Sequence, residues 1–260
     1  MIAPRLPMTR WWRLTTIGAF GFLGVWTAAA LAGLTTREFL PTPWDVIVRF
    51  AHLMTEPFAG YTLGVHLLSS LQRFAMGFLL AACVGVPLGL LMAWFRWLDR
   101  IITPAFEAVR FVAPIAWVPF AALWFGTGIG GPVLIIFMGA FPPVLINTYR
   151  GAKHVDVKYI EAAQMLGASH LRVMTQVLLP ASVPSIVAGL RISAGLGWQS
   201  LVGAELIVAS SGVGYLMVKG QAAISTATVM SGMLAIGFVG VLIDAALRRA
   251  HQAIESRRGI

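Results

Sequence analysis

Along this chain, long apolar runs alternate with short polar turns. Runs at 14–34, 74–95, 101–125, 132–147, 186–209 and 230–247 read as six membrane spans, because a helix needs about 20 mostly apolar residues to cross the hydrocarbon core. With no water there, each run must satisfy its own backbone hydrogen bonds, which a helix does. The pattern predicts an all-α polytopic membrane protein.

The stretches between and within the runs add detail. Leu40-Pro41-Thr42-Pro43 forbids regular helix, since each proline restrains itself and its predecessor. Residues 44–54 then place Val46, Ile47, Phe50 and Leu53 at helical spacing, which predicts an amphipathic helix at the outer interface. His66 and Arg73 fall ahead of, or just within, the second run. That run contains Gly85 and Gly89, which permit close helix contact, and Pro87, which is positioned to kink it. Pro104, Pro114 and Pro119 punctuate the third run, residues 126–131 form a tight outer turn, and Pro142 and Pro143 fall near the end of the fourth. Residues 210–225, with Gly212, Gly214 and Gly220, read as an outer re-entrant or interfacial segment.

Composition agrees with the pattern. The 260-residue chain has 11% charged residues, against about a quarter in a soluble domain, and a mean hydropathy of +0.82. Its net charge of +9 does not point to nucleic acid, because Lys and Arg on a membrane protein encode orientation and meet anionic lipid. With the N-terminus inside, the cytoplasmic segments collect Arg5, Arg10, Arg13, Arg96, Arg100, Arg150, Lys153, Lys158, Arg172, Arg248, Arg249, Arg257 and Arg258. The outer segments keep Arg37, Arg49 and Lys219. This asymmetry predicts a cytoplasmic tail at 1–13, a transmembrane domain at 14–247 and a basic cytoplasmic tail at 248–260. A cleaved signal peptide with an Ala-rich site near 28–32 is the rival reading of the first run, but its apolar core exceeds the usual length of about 7–15 residues. The single cysteine, Cys83, rules out a disulfide within the chain, and inside an apolar run it is expected to be a buried thiol.

The stretch 156–184 interrupts the apolar runs with enough polarity to sit in water. Asp156 is placed to cap a helix, and Gly167 to end it in a left-handed conformation. Ser169 is placed to cap a second helix, which Pro180 ends or follows by opening the next. The expectation is two short helices joined by a sharp bend, within a cytoplasmic loop at about 150–184.

Glu161-Ala162-Ala163, Gly167, Val177 and Leu179-Pro180 match the spacing of the EAA loop found in permease subunits of ATP-binding-cassette (ABC) importers, which this chain resembles. Three further stretches resemble the nitrate/taurine/aliphatic-sulfonate branch. They are Leu40-Pro41-Thr42-Pro43, the Pro114–Pro119 stretch with Leu123-Trp124-Phe125-Gly126, and Gly189-Leu190-Arg191 continuing to Trp198, Ala204-Glu205 and Gly212-Val213-Gly214-Tyr215. The resemblance covers residues 39–247. It implies the type I ABC importer permease fold in a bacterial inner membrane, as a homodimer with two ATPase subunits and a periplasmic or lipid-anchored substrate-binding protein. It implies ATPase-coupling contacts from Tyr159, Glu161, Ala162, Ala163, Leu166, Gly167, Leu179 and Pro180. ATP and Mg would be bound by the partner ATPase, with no cofactor in this chain. The implied activity is import of a small anion, sulfonate-, taurine- or nitrate-like, by alternating access; an aromatic acid or a vitamin or pyrimidine precursor is the alternative cargo.

Candidate chemistry is sparse. Glu107 and Arg110 share a helix face and are expected to pair. Arg191 is expected to snorkel or pair near the cytoplasmic surface. Glu205 is either a residue of the substrate path or an inter-helix hydrogen-bonding group. Trp117, with Phe120, Trp124 and Phe125, reads as a pore or packing face, or as an interfacial belt. Trp198, Gln199 and Ser200 are candidates for the translocation path, although helix contacts use the same residue types. No Gly-Lys dipeptide exists for a phosphate loop, no His or Cys spacing suits a metal, and no catalytic group is expected. A membrane enzyme would need a reactive cluster, and a channel would have no use for the EAA loop.

Overall fold

A computed structural model describes residues 8–33, 36 and 38–256, with side chains placed from 14 to 33, at 36, and from 38 to 252. Arg5, Arg37, Arg257 and Arg258 lie outside the described residues, as do the side chains of Arg10 and Arg13. The helices are α1 (Met8–Leu31), α2 (Pro43–Thr55), α3 (Leu63–Trp94), α4 (Arg96–Arg110), α5 (Val118–Phe125), α6 (Gly130–Lys153), α7 (Val157–Met165), α8 (His170–Val173), α9 (Leu179–Val208), α10 (Val213–Ala222) and α11 (Thr226–Ser256). Leu14–Leu31, Leu63–Trp94, Gly130–Lys153, His170–Val208 and Thr226–Gln252 are long and apolar enough to cross a membrane.

The third expected span is broken. Arg96–Arg110 and Pro114–Phe125 meet at 91°. Ala113, just before Pro114, is extended at φ −56 and ψ 138, because the pyrrolidine ring crowds the helical conformation of its predecessor. Pro114 also has no N–H to return to the carbonyl of Arg110. Other prolines break nothing: α3 runs through Pro87, α6 through Pro142 and Pro143, and α9 through Pro184. Helix α3 also begins at Leu63 rather than near 74, because a hydropathy pattern discounts the polar residues of its first turns. The fifth span reaches back to His170 through a wide π turn at Met174–Leu178. That turn lies where the ring of Pro180 would otherwise meet the carbonyl of Gln176. Cys83 is exposed on α3, not buried as expected.

The described chain divides into two compact units, one of residues up to Leu63 with Leu216–Leu234, the other of Gly64–Tyr215 with the residues from Ala235 onward. In the smaller unit, Thr42 and Asp45 form a reciprocal cap at the start of α2, with Thr42 N–H donating to Asp45 Oδ2 at 3.0 Å and Asp45 N–H to Thr42 Oγ1 at 3.2 Å. Val46 and Leu53 bury the apolar face of α2. Arg49 Nε donates to Thr228 Oγ1 at 2.9 Å, and Ser231 Oγ to the carbonyl of Val46 at 3.1 Å, which ties α2 to α11.

In the larger unit α6 is the central helix, packed on α3 and α9 through small residues. A Cβ added at Gly77 would lie 2.7 Å from Ile136, one at Gly85 2.9 Å from Val144, and one at Gly89 2.8 Å from Thr148. On the α9 side, a Cβ at Gly189 would lie 2.6 Å from Asn147 Cβ and 3.2 Å from the carbonyl of Pro143. Such close approach is how helices associate where lipid supplies no hydrophobic drive. Phe74, Ile136, Ala194, Trp198 and Leu201 form one core cluster there. Gly189→Val should therefore cost about 1–3 kcal/mol, read as a lower midpoint of unfolding in detergent. Gly195→Ala should not lower it, since nothing lies within 4 Å of that position.

Candidate functional site

Helix α3 places His66, Ser70 and Arg73 on one face, at i, i+4 and i+7. Facing them is Glu205 of α9. Arg73 Nη1 donates to Glu205 Oε1 at 2.9 Å, and Ser70 Oγ lies 2.8 Å from both carboxylate oxygens. The N–H of Gly214 donates to Glu205 Oε2 at 3.0 Å. Arg73 also donates to the carbonyl and hydroxyl oxygens of Ser211, at 2.7 and 2.6 Å. His66 Nδ1 accepts from Gly212 N–H at 3.1 Å, and Ser70 Oγ from Val213 N–H at 3.0 Å. The Arg73 and Glu205 side chains are only 6% and 1% exposed. Gly212 has φ +108, and a Cβ there would overlap the carboxylate. Glu205 is thus an inter-helix hydrogen-bonding group that clamps the turn between α9 and α10.

Open space lies elsewhere in the same unit, including a cavity of about 600 Å³ lined by Arg96, Asp99, Arg100 and Lys153 among others. Of two cavities beside Arg110, the larger, of about 580 Å³, is bounded by the α4–α5 bend, α6 and α9. Its polar lining is Arg110, Asn147, Gln199 and Ser200, and Arg110 is the one charged residue of that lining. Pro142 and Pro143 lack the N–H groups that would return to the carbonyls of Met138 and Gly139, and both of those residues line the cavity. Asn147 Nδ2 donates to the carbonyl of Pro143 at 2.8 Å. Arg110 Nη2 and Nε lie 2.7 and 3.0 Å from Glu107 Oε2, and its guanidinium stacks 4.9 Å from the centroid of Phe111. A smaller cavity of about 110 Å³ is lined by Glu107, Arg110, Tyr149 and Arg150 among others.

Of the path candidates, Gln199 and Ser200 line the larger cavity and come together with Arg110; Trp117, Trp198 and Glu205 do not line it. Trp198 is buried, edge-on to Phe74 at 5.4 Å, and its indole donates to the carbonyl of Ile236 at 3.1 Å. Trp117 is half-buried and stacks edge-on to Phe120 at 5.9 Å. Arg191 pairs with Asp244 at 2.9 Å. The spacing of Glu107 and Arg110 points only to their mutual pair, which forms, and nothing in the apolar run points to Asn147. The available signal was Pro142-Pro143, which frees backbone acceptors in the middle of a span.

In the segment after α6, Asp156 caps α7, accepting from Lys158 N–H at 3.0 Å. Gly167 has φ +76, with its N–H donating to the carbonyl of Gln164 at 2.9 Å and that of Ala168 to the carbonyl of Ala163 at 3.0 Å, a Schellman ending. Ser169 stands at the start of α8 but makes no side-chain capping bond. Tyr159, Glu161, Ala162, Met165 and Leu166 are exposed, Met165 and Leu166 at 84% and 88%. Ala163 is half-buried and Pro180 exposed. Ile160, Val155 and Leu179 pack against Leu90 and Ala152, near the ends of α3 and α6, and Leu178 of the π turn. Trp94 of α3 meets His170 edge-on at 5.7 Å.

Long apolar helices and small-residue helix contacts define a polytopic α-helical membrane protein. Residues 85–260 match the family described as "Binding-protein-dependent transport system inner membrane component". The taurine transport system permease protein TauC of Escherichia coli K12 is 33% identical over 256 residues, 98% of this chain and 93% of that one. The putative aliphatic sulfonates transport permease protein SsuC of Bacillus subtilis 168 is 35% identical over 226 residues, 87% of this chain and 80% of that one. A chain of the MetNI methionine ABC transporter, in an inward-facing conformation, superposes with a TM-score of 0.64 at 17% identity, covering 82% of this chain and 98% of that one. This chain belongs to the family of binding-protein-dependent transport system inner membrane components. It is a permease subunit of an ABC importer and not an enzyme, with the type I importer permease fold.

Truncating one partner of the buried pair leaves the other charge unpaired. Arg73→Met or Glu205→Ala should each cost about 3–5 kcal/mol, read as loss of the folded fraction on mild heating in detergent. The double variant should be milder than either single change.

Proposed function

We propose that this permease forms the translocation path for a small organic or inorganic anion of the sulfonate, taurine or nitrate kind. The observation that carries this reading is the cavity of about 580 Å³, whose one charged lining residue is Arg110. Asn147, Gln199 and Ser200 add neutral hydrogen-bonding groups, and Phe111, Pro142 and Pro143 add apolar surface for an organic tail. The carbonyls of Met138 and Gly139 can accept from a donor group such as an amine. Names of the relatives support the same class: taurine for one, aliphatic sulfonates for another.

The working assembly in this reading is two copies of this chain, two ATPase subunits and a substrate-binding protein. Both termini and the loop at about 150–184 face the cytoplasm. The exposed residues Tyr159, Glu161, Ala162, Met165 and Leu166 dock in a groove on the ATPase, as an apolar helix face does in a partner's groove. Gly167 sets the angle of α7, while Leu179 and Pro180 lead the motion into α9. Ile160 and Leu179 pack against the cluster of Leu90, Ala152 and Leu178, through which displacement of α7 would reach the neighbouring helices.

Co-purification with the ATPases, followed by ATP-driven uptake in proteoliposomes with loaded binding proteins, tests the whole reading. Two copies of the chain per two ATPases and uptake of taurine or ethanesulfonate are expected. A chain that purifies alone, or uptake of cations only, overturns it. Gly167→Val should break coupling, because a β-branched residue at φ +76 is strained and re-aims α7. Membrane insertion should be retained while stimulated ATPase activity is lost.

A further inference from the structure

Besides Arg191 and Arg248 with Asp244, the larger unit holds two arginine–carboxylate pairs of similar length that differ in kind. Arg73 and Glu205, 2.9 Å apart, are almost fully buried, with both groups engaged by Ser70, Ser211 and Gly214. Arg110 and Glu107, 2.7 Å apart, are 30% and 47% exposed. The second pair borders open space, whereas the first is enclosed by its hydrogen-bonding partners. The first pair is fixed in place, and the second can be exchanged.

The surroundings of Arg110 favour exchange. It lines both the larger cavity and the smaller one, whereas Glu107 lines the smaller one only. Two guanidinium nitrogens, Nε and Nη2, converge on a single oxygen, Glu107 Oε2, at 3.0 and 2.7 Å. A guanidinium fork matches an anion that offers it two oxygens better than it matches one. Phe111 stacks on the guanidinium and holds its plane. Arg150 lines the smaller cavity beside Glu107, so a released carboxylate has a second cation within the same space.

We propose that Arg110 is the anion-selecting group of the cavity and that Glu107 is its internal competitor, the carboxylate that a passing oxyanion displaces. This rests on the reading of the cavity as an anion path. At rest, Glu107 occupies the fork and keeps stray anions from settling there. When the cargo anion enters from the larger cavity, its two oxygens take the fork and Glu107 turns toward Arg150. As the anion moves on, Glu107 returns, which helps release it. No covalent bond changes, and the net charge around Arg110 rises by one negative unit only while the anion is bound.

A purely structural pair predicts that loss of either partner acts in the same direction. The exchange predicts opposite directions. The test uses the full complex with its ATPases in detergent, without binding protein, and measures retention of radiolabelled ethanesulfonate, taurine and bicarbonate, with ethanolamine as the cationic counterpart. Glu107→Gln should retain the anions about fivefold more tightly, which corresponds to the upper end of what an exposed ion pair contributes. Arg110→Gln should weaken retention about tenfold or more, Arg110→Lys should fall between, and the double variant should behave as Arg110→Gln. Thermal midpoints of the assembled variants report folding separately, and Glu107→Gln against Arg110→Lys suffices if Arg110→Gln does not assemble. Weaker anion retention by Glu107→Gln, in step with the arginine variants, overturns the exchange and leaves the anion path standing. Retention of ethanolamine alone, or of no anion by either wild type or Glu107→Gln, overturns the anion path and the exchange with it.

Discussion

An ionised carboxylate inside a membrane helix must find a partner, and in this chain Glu205 finds Arg73. The requirement shapes much of the larger unit. Arg73 can reach Glu205 only if α3 starts well before its apolar run, so that His66, Ser70 and Arg73 stack on one face. The turn at 211–214 then donates backbone N–H groups into the same cluster, and its glycines leave room for the carboxylate. A buried pair of this kind is weak evidence for stability, since desolvation offsets the attraction. Its effect is geometric: it fixes α3, α9 and the start of α10 in one register.

The cavity depends on the opposite circumstance, incomplete packing beside well-packed helices. Helix α6 is held against α3 and α9 by glycine contacts at positions where a side chain would collide. Between those contacts, Pro142 and Pro143 leave backbone acceptors without helical donors, and the 91° bend after Arg110 keeps α5 from filling the space. The result is a largely apolar cavity, edged by Arg110, Asn147, Gln199 and Ser200, next to closely packed helices.

Much of this was legible in the sequence, and what escaped has a common cause. The apolar runs are one-dimensional signals, and the spans at α1, α6 and α11 appear where hydropathy puts them. The stretch 156–184 was legible because caps and a left-handed glycine act locally: Asp156 and Gly167 do what their chemistry requires. The start of α3 was not, because its polar face is discounted by a pattern that averages around the helix. The partner of Glu205 was not, because Arg73 lies in a different run and only tertiary packing brings it near. Cys83 was expected inside because apolar neighbours suggest burial, but in a lipid-facing helix apolar neighbours are equally a sign of exposure. Gln199 and Ser200 are polar groups deep in a span, whereas Asn147 follows Pro142 and Pro143, whose effect on the carbonyls of Met138 and Gly139 is an absence of donors that leaves no mark in the hydropathy pattern.

Coupling and recognition share one mechanical element. Helix α6 carries Ala152 at one end, in the cluster that seats Ile160 of α7, and Pro142, Pro143 and Asn147 further along, in the cavity wall. Between these points it is a continuous helix held by close contacts at Gly85, Gly89 and Gly189. Arg110 is not on that helix. It sits at the end of α4, beside the bend, and its partner Glu107 is on the same helix. The cavity wall on α6 and the Arg110–Glu107 pair therefore belong to different helices, and the helix that joins the segment after α6 to that wall is not the one that carries the pair.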